Sequence, residues 1–255
     1  MKCLNHHAQV LAQMQEIKKN FETEWLDGEV PVSTRHDDPY YSRSGGLAET
    51  RHIFIRGNDL QERLSRARET AVGELGFGTG LNFLAAWKAW QQSARDGASL
   101  IFHSLEAFPL NASEMDRALS AWPELDEERK ALIEAWSEAD TGSESFDFEP
   151  TRGVQLKVQF GEATNAIERF PEKIHAWFLD GFSPAKNPDM WSLELMQLVF
   201  EKTAANGTLA TYTAAGWVRR NLTGAGFEIS KVPGHAGKRE MVIGCKVGRP
   251  AANIA

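Results

Sequence analysis

The chain has 255 residues, 42% hydrophobic and 25% charged, which is enough to bury a core and excludes a disordered or fibrous protein. No apolar run approaches the roughly 18 to 20 residues of a bilayer span, and the first residues lack the unbroken apolar stretch of a secretory signal, so a cytoplasmic, membrane-free protein is expected. The net charge of −7 argues by itself against nucleic acid, yet from Ala215 onward seven Lys or Arg stand against two Glu.

Trp25 to Ser33 and His52 to Ile55 read as strands of an N-terminal extension over residues 1–69, with a short helix from Asp59 to Ala67. From residue 70 strands alternate with helices. Thr70 to Leu75 is β-prone and runs straight into glycines, and Leu81 to Ala94 is a breaker-free helix. Ser99 to Leu105 is a second apolar strand closing on Glu106. Helices follow at Ala112 to Trp122 and Glu124 to Ala139, then a Ser/Gly/Glu-rich stretch, Asp140 to Arg152, that reads as an exposed loop. Much of the chain's acidity lies between Glu106 and Glu149.

Val154 to Phe160 alternates as a strand does, with Ala163 to Phe170 as its helix. Ala176 to Leu179 is a fully apolar strand ending at Asp180, and Ser192 to Ala205 is an amphipathic helix. A strand from Gly207 to Tyr212, a helix from Trp217 to Ala225, and strands Phe227 to Val232 and Met241 to Val247 complete the order. This alternation predicts an α/β fold with a mostly parallel sheet covered on both faces. The last two strands lack a crossover helix, so the final strand runs antiparallel. That is the Rossmann-like plan of class I methyltransferases, with residues 70–255 as one unit, although a fold alone leaves the chemistry open.

Three segments carry the chemistry. The first is Glu74-Leu75-Gly76-Phe77-Gly78-Thr79-Gly80-Leu81-Asn82. Glycines here let the backbone turn sharply and approach a ligand closely. The pattern is G-x-G-x-G rather than the G-x-G-x-x-G of dinucleotide folds, and it suits a donor without phosphate. Glu74 can face the positive amino group of S-adenosylmethionine; the plain alternative is a tight strand-to-helix turn. Glu106, thirty residues after Gly76, can accept the ribose hydroxyls, and Gly161 with Glu162 can meet the adenine. The last segment, Phe178-Leu179-Asp180-Gly181-Phe182-Ser183-Pro184-Ala185-Lys186-Asn187-Pro188, ends the fourth strand of the core. An acid there, followed by glycine, an aromatic and a proline-stiffened loop, resembles the catalytic loop of nitrogen methyltransferases. Asp180 can aim an amine lone pair and take a proton, while Phe182 can stack on a planar substrate. The alternatives are a turn-capping Asp180 and a core Phe182. The histidines and cysteines show no metal-ligand spacing, and Cys3 and Cys245 make no disulfide framework.

Taken together, Glu74 to Phe83, Trp177 to Trp191 and Gly207 to Gly216 resemble the methyltransferase domain of the bifunctional tRNA 5-methylaminomethyl-2-thiouridine biosynthesis family, MnmC. Val218-Arg-Arg220, Gly226-Phe227, Gly237 to Met241, Asp37 to Ser42 and Gly46 to Arg51 match as well, so the likeness runs from about Trp25 to Val247. It implies methylation of the amine of 5-aminomethyl-2-thiouridine at the tRNA wobble position. Family donor contacts carry over onto the glycine loop, Glu106, Glu162 and Asp180, and Glu74, Asn82 and Gly161 are read beside them as donor-binding residues; many members have Asp where this chain has Glu162. The anticodon arm would meet Tyr41, Lys186, Arg219, Arg220, Lys238 and Arg239, with Lys231 nearby. The flavin-dependent oxidase domain that makes the amine in bifunctional members does not appear in this sequence, so the chain is a stand-alone methyltransferase or a piece of a longer protein. Three rival readings stand beside this one: a methyltransferase of a small-molecule or protein amine, a nicotinamide-dependent oxidoreductase, and a non-catalytic tRNA-binding module.

Overall fold

Residues 23–27, 30–42, 45–171, 173–237 and 239–248 are described in the structure, a computed structural model. The chain opens with a small antiparallel sheet of β1 (Thr23–Leu26), β2 (Val30–Ser33) and β3 (Asp38–Pro39). Helix α1 (Gly46–Thr50) continues directly into a π-helix, Arg51–Arg56, and then α2 (Leu60–Arg66) leads into the core. The strand expected at His52 to Ile55 is therefore a wide helical turn. Ile53, Phe54 and Ile55 are β-branched or aromatic and invite a strand reading. A π-helical turn buries all three consecutive side chains, with Phe54 stacked on Phe178 at 5.1 Å, so packing overrides propensity. Asn58 secures the segment, donating to the carbonyls of Phe54 and Trp177 at 3.1 Å each.

Strand and helix then alternate through β4 (Glu69–Leu75), α3 (Leu81–Ser93), β5 (Ser99–Glu106), α4 (Ala112–Leu119) and α5 (Asp126–Ser137). The Ser/Gly/Glu-rich stretch contains a further strand, β6 (Ser145–Thr151), antiparallel to β7 (Val154–Phe160), and so corrects the loop reading. Phe146 is the reason. It is buried edge-on against Trp136 at 4.7 Å, an apolar anchor that the polar composition around it hides. After β7 come the single turn α6 (Ala163–Ala166), β8 (Ile174–Phe178), α7 (Leu193–Lys202), β9 (Thr203–Thr211), α8 (Gly216–Ala225), β10 (Glu228–Pro233) and β11 (Glu240–Cys245).

Among the described residues eight strands form one sheet in the order β10-β11-β9-β8-β4-β5-β7-β6. The run β9-β8-β4-β5-β7 is parallel, and β11 lies antiparallel between β9 and β10, as the missing crossover helix requires. Two apolar layers cover the faces. One packs Leu84, Phe102 and Phe178 under α3 and α5; the other packs Trp177, Leu195, Val199 and Leu222 under α7 and α8. The order reverses direction between β4 and β8, and the crevice above such a switch point is where open α/β sheets bind ligands. No helix among the described residues is long and apolar enough to cross a membrane.

Candidate active site

A cavity of about 1830 Å³ opens above this switch point. Pockets for one small ligand run to ~300–1,000 Å³, so two reactants have room here. Its walls come from the C-terminal ends of the parallel strands and, on one side, from the N-terminal extension, including Arg35, His36, Asp38, Tyr40, Tyr41 and Thr50.

The glycine loop forms the floor between β4 and α3. Gly76, Gly78 and Gly80 have φ of +90°, +54° and +83°, backbone that side chains enter only with strain. Space is short as well: a Cβ on Gly78 would lie 3.2 Å from Tyr40 Cδ1, and one on Gly80 3.0 Å from Leu132 and 3.1 Å from Phe77. Gly76, Phe77, Gly78, Thr79 and Asn82 line the cavity, whereas Gly80 faces the packed interior. Phe77 is held by stacking on Trp136 at 5.0 Å.

Glu106 ends β5 and closes onto the loop. Its carboxylate accepts the main-chain N–H of Gly78 at 2.8 Å and that of Phe108 at 2.7 Å. Burial pushes this carboxyl up from the usual range and the main-chain donors pull it back. Gly161 and Glu162 follow β7 and also line the cavity, and Gly161 N–H donates to the Glu106 carbonyl at 3.0 Å.

Glu74 sits differently from its neighbours. It is fully buried and lies beneath the lining rather than in it. Ser104 Oγ donates to Glu74 Oε2 at 2.6 Å, while Oε1 has no hydrogen-bond partner among the described residues. Burial holds its carboxyl well above the usual range, with the nearby charges of Asp180 and Glu106 acting in the same direction. Burial thus favours the protonated form of Glu74 over the charged one.

Asp180 follows β8 and lines the cavity. Its Oδ2 accepts Asn82 Nδ2 at 2.7 Å, and Asn82 Oδ1 in turn accepts Thr50 Oγ at 2.8 Å. Phe182 also lines the cavity, within an aromatic cluster: His36 stacks on it at 4.6 Å and Tyr40 meets it edge-on at 5.1 Å. Burial lowers the His36 pKa, which favours the neutral ring, and raises the Tyr40 hydroxyl beyond its ordinary value. Asp38 Oδ2 accepts Ser183 N–H at 2.8 Å, tying the extension to the Asp180 loop. On the opposite side Tyr212 donates to the Gly181 carbonyl at 2.9 Å, and burial beside Asp180 keeps that hydroxyl protonated.

The expected polyanion contacts are more dispersed. Tyr41 lines the cavity, its hydroxyl donating to the Ala118 carbonyl at 3.1 Å. Lys186 is paired with Asp37 at 3.1 Å and with Asp38 at 3.6 Å, so its charge is already balanced. Arg219 and Arg220 lie in the first half of α8 and Arg239 just before β11; none of the three lines the cavity, and Lys238 lies outside the described residues. Sequence reasoning missed His36, Asp38, Tyr40, Thr50 and Tyr212. They sit inside the family-like stretches Asp37 to Ser42, Gly46 to Arg51 and Gly207 to Gly216 or next to them, but nothing local marks them as facing a pocket.

A family model described as an S-adenosyl-L-methionine-dependent methyltransferase matches residues 123–247. The tRNA 5-methylaminomethyl-2-thiouridine biosynthesis bifunctional protein MnmC of Pseudomonas aeruginosa (strain UCBPP-PA14) is 43% identical over 231 residues, 89% of this chain and 35% of that protein. The protein of the same name from Chromobacterium violaceum is 43% identical over 220 residues, 85% of this chain and 33% of its own length. The chain thus spans about a third of these curated relatives. A crystal structure of MNMC2 from Aquifex aeolicus superimposes with a TM-score of 0.70 at 24% identity, covering 91% of this chain and 72% of that one, a likeness of fold. By sequence, residues 123–247 belong to an S-adenosyl-L-methionine-dependent methyltransferase family, and most of the chain is similar to part of MnmC.

Proposed function

We propose that the protein transfers the methyl group of S-adenosylmethionine to the amine of 5-aminomethyl-2-thiouridine at the tRNA wobble position, giving 5-methylaminomethyl-2-thiouridine. The observation that carries this reading is the Asp180 carboxylate, held by Asn82 on the wall of a two-reactant cavity beside a bare glycine loop. The lining fits the donor. Glu106, Glu162 and Asp180 are carboxylates that suit a cationic ligand with hydroxyls and an amine, and they would repel a pyrophosphate. The loop from Gly76 to Asn82, Glu106, Gly161, Glu162 and Asp180 would hold it, with Glu74 acting from beneath.

The donor supplies a methyl carbon on positively charged sulfur, which an uncharged nitrogen can take in line. An amine with a pKa near ~10.4 costs roughly 4 to 5 kcal/mol to neutralise at pH 7. Asp180 hydrogen-bonds the amine, orients its lone pair and takes up a proton from the nitrogen as the new carbon–nitrogen bond forms and the sulfonium bond breaks. The cavity holds the acceptor, with Phe182, His36 and Tyr40 as the aromatic surface for a planar base. A wobble base leaves its stack readily in a single-stranded loop. Arg219, Arg220, Lys238 and Arg239 would meet anticodon-arm phosphates, and the described residues of the N-terminal extension serve as a wall of the site. A flavin-dependent oxidase, fused or separate, would supply the amine.

The test is incubation with methyl-labelled donor and tRNA lacking the modification. Label in tRNA, recovered as 5-methylaminomethyl-2-thiouridine by nucleoside mass spectrometry, is expected. Label appearing only in a small-molecule or protein amine would overturn the substrate assignment.

A further inference from the structure

We infer that Thr50, on the N-terminal extension, is a positioning residue that orients the Asp180 carboxylate through the side chain of Asn82. The inference rests on the role given to Asp180 above.

Three distant segments meet in one chain of hydrogen bonds. Thr50 closes α1 where it passes into the π-helix, Asn82 lies in the first turn of α3, and Asp180 follows β8. The links are 2.8 Å from Thr50 Oγ to Asn82 Oδ1 and 2.7 Å from Asn82 Nδ2 to Asp180 Oδ2. Thr50 and Asn82 are only 5% and 7% exposed, so the link between them lies where water competes poorly.

The direction of the chain follows from its chemistry. An ionised carboxylate only accepts, so Asn82 must turn its N–H toward Asp180. Its carbonyl then faces Thr50, and Thr50 must donate. A threonine near a helix end commonly spends its hydroxyl on a carbonyl of its own turn. Here it reaches a residue 32 positions away. Without that donor the Asn82 carbonyl is buried and unpaired, and one of the bonds that fix the amide is lost. A flipped amide would set a carbonyl oxygen against the carboxylate.

The neighbouring acid sharpens the point. Burial raises the pKa of the Glu74 carboxyl under the same loop, which disfavours a second negative charge beside Asp180. A carboxylate held by an oriented N–H donor stays available to take the proton that an ammonium acceptor releases. Thr50 touches neither that proton nor the nitrogen. It acts through Asn82.

The experiment compares Thr50→Val, which keeps the shape and removes the hydroxyl, with Thr50→Ser, which keeps the hydroxyl. Turnover is measured at saturating donor with whichever acceptor the labelling experiment identifies, donor affinity by calorimetry, and both variants again in an Asp180→Asn background. Thr50→Val is expected to lower kcat about tenfold, the scale of one buried hydrogen bond, with donor Kd changed less than about twofold. Thr50→Ser should recover kcat to within about threefold, and Thr50→Val should cost nothing further once Asp180 is Asn. Wild-type kcat in Thr50→Val, equal loss in Thr50→Ser, or full loss persisting in the Asp180→Asn background would overturn the inference. Wild-type turnover of Asp180→Asn alone would overturn the role of Asp180 itself, a separate failure.

Discussion

Asp180 and Gly78 bear most directly on the proposed chemistry. If Asp180 accepts the amine proton, Asp180→Ala should reduce turnover by about 10² or more, while calorimetry finds donor affinity largely retained. A rate near wild type would remove it from the reaction. Gly78 combines φ of +54° with Tyr40 at 3.2 Å from a built Cβ, so Gly78→Val should abolish donor binding in the same titration. Glu74 allows a prediction with a definite sign. Its folded pKa lies above the unfolded value of 4.5, so the native state binds the extra proton and stability falls as pH rises past that value. Glu74→Gln mimics the neutral form. Its Tm should exceed that of the parent at pH 8, with the gap closing at pH 4.5 and below, and an identical pH trend in both proteins would contradict a neutral Glu74.

At the scale of elements, β5 carries both Glu106 at its tip and His103 in its interior. His103 is buried beside Phe170, and burial, reinforced by Lys157, pushes its pKa down to about 4. The unfolded chain binds a proton there near pH 6.5, so stability is lost as pH falls from 6.5 toward 4, at about 1.4 kcal/mol per pH unit. His103→Gln should flatten the decline of Tm across that window relative to the parent, which differential scanning fluorimetry would show. The helix over Arg51–Arg56 and the strand β6 teach a related lesson. Ile53, Phe54 and Ile55 read as a strand because their neighbours in space, above all Phe178, are far away in sequence. Ser145 to Thr151 read as a loop because the partner of Phe146, Trp136, lies on a different element, α5.

For the whole molecule, the net charge of −7 and the basic C-terminal region pull in opposite directions. Part of the acidic stretch from Glu106 to Glu149 is internally neutralised: Glu128 pairs with Lys88 at 2.9 Å, and Asp116 and Asp126 both pair with Arg129. If the C-terminal cations meet RNA phosphates, reversing Arg219 and Arg220 to Glu should weaken tRNA binding. The slope of log affinity against log salt should also become shallower by about 0.7 to 0.9 for each lost phosphate contact. An unchanged slope would move the RNA surface elsewhere on the molecule.

The local signals were legible in the sequence by itself. Alternating apolar runs set the parallel sheet and its antiparallel end, since period and burial are written residue by residue. The glycine loop, Glu106 and Asp180 were legible too, because backbone freedom and an acid at a strand tip are properties of single positions. Tertiary structure decided what depends on distance in the chain. It put Glu74 beneath the cavity rather than in its wall, balanced Lys186 with Asp37 and Asp38, and brought Thr50, His36 and Tyr40 against the site. Burial and partners set a side chain's charge and orientation, and both come from segments that meet only once the sheet has formed.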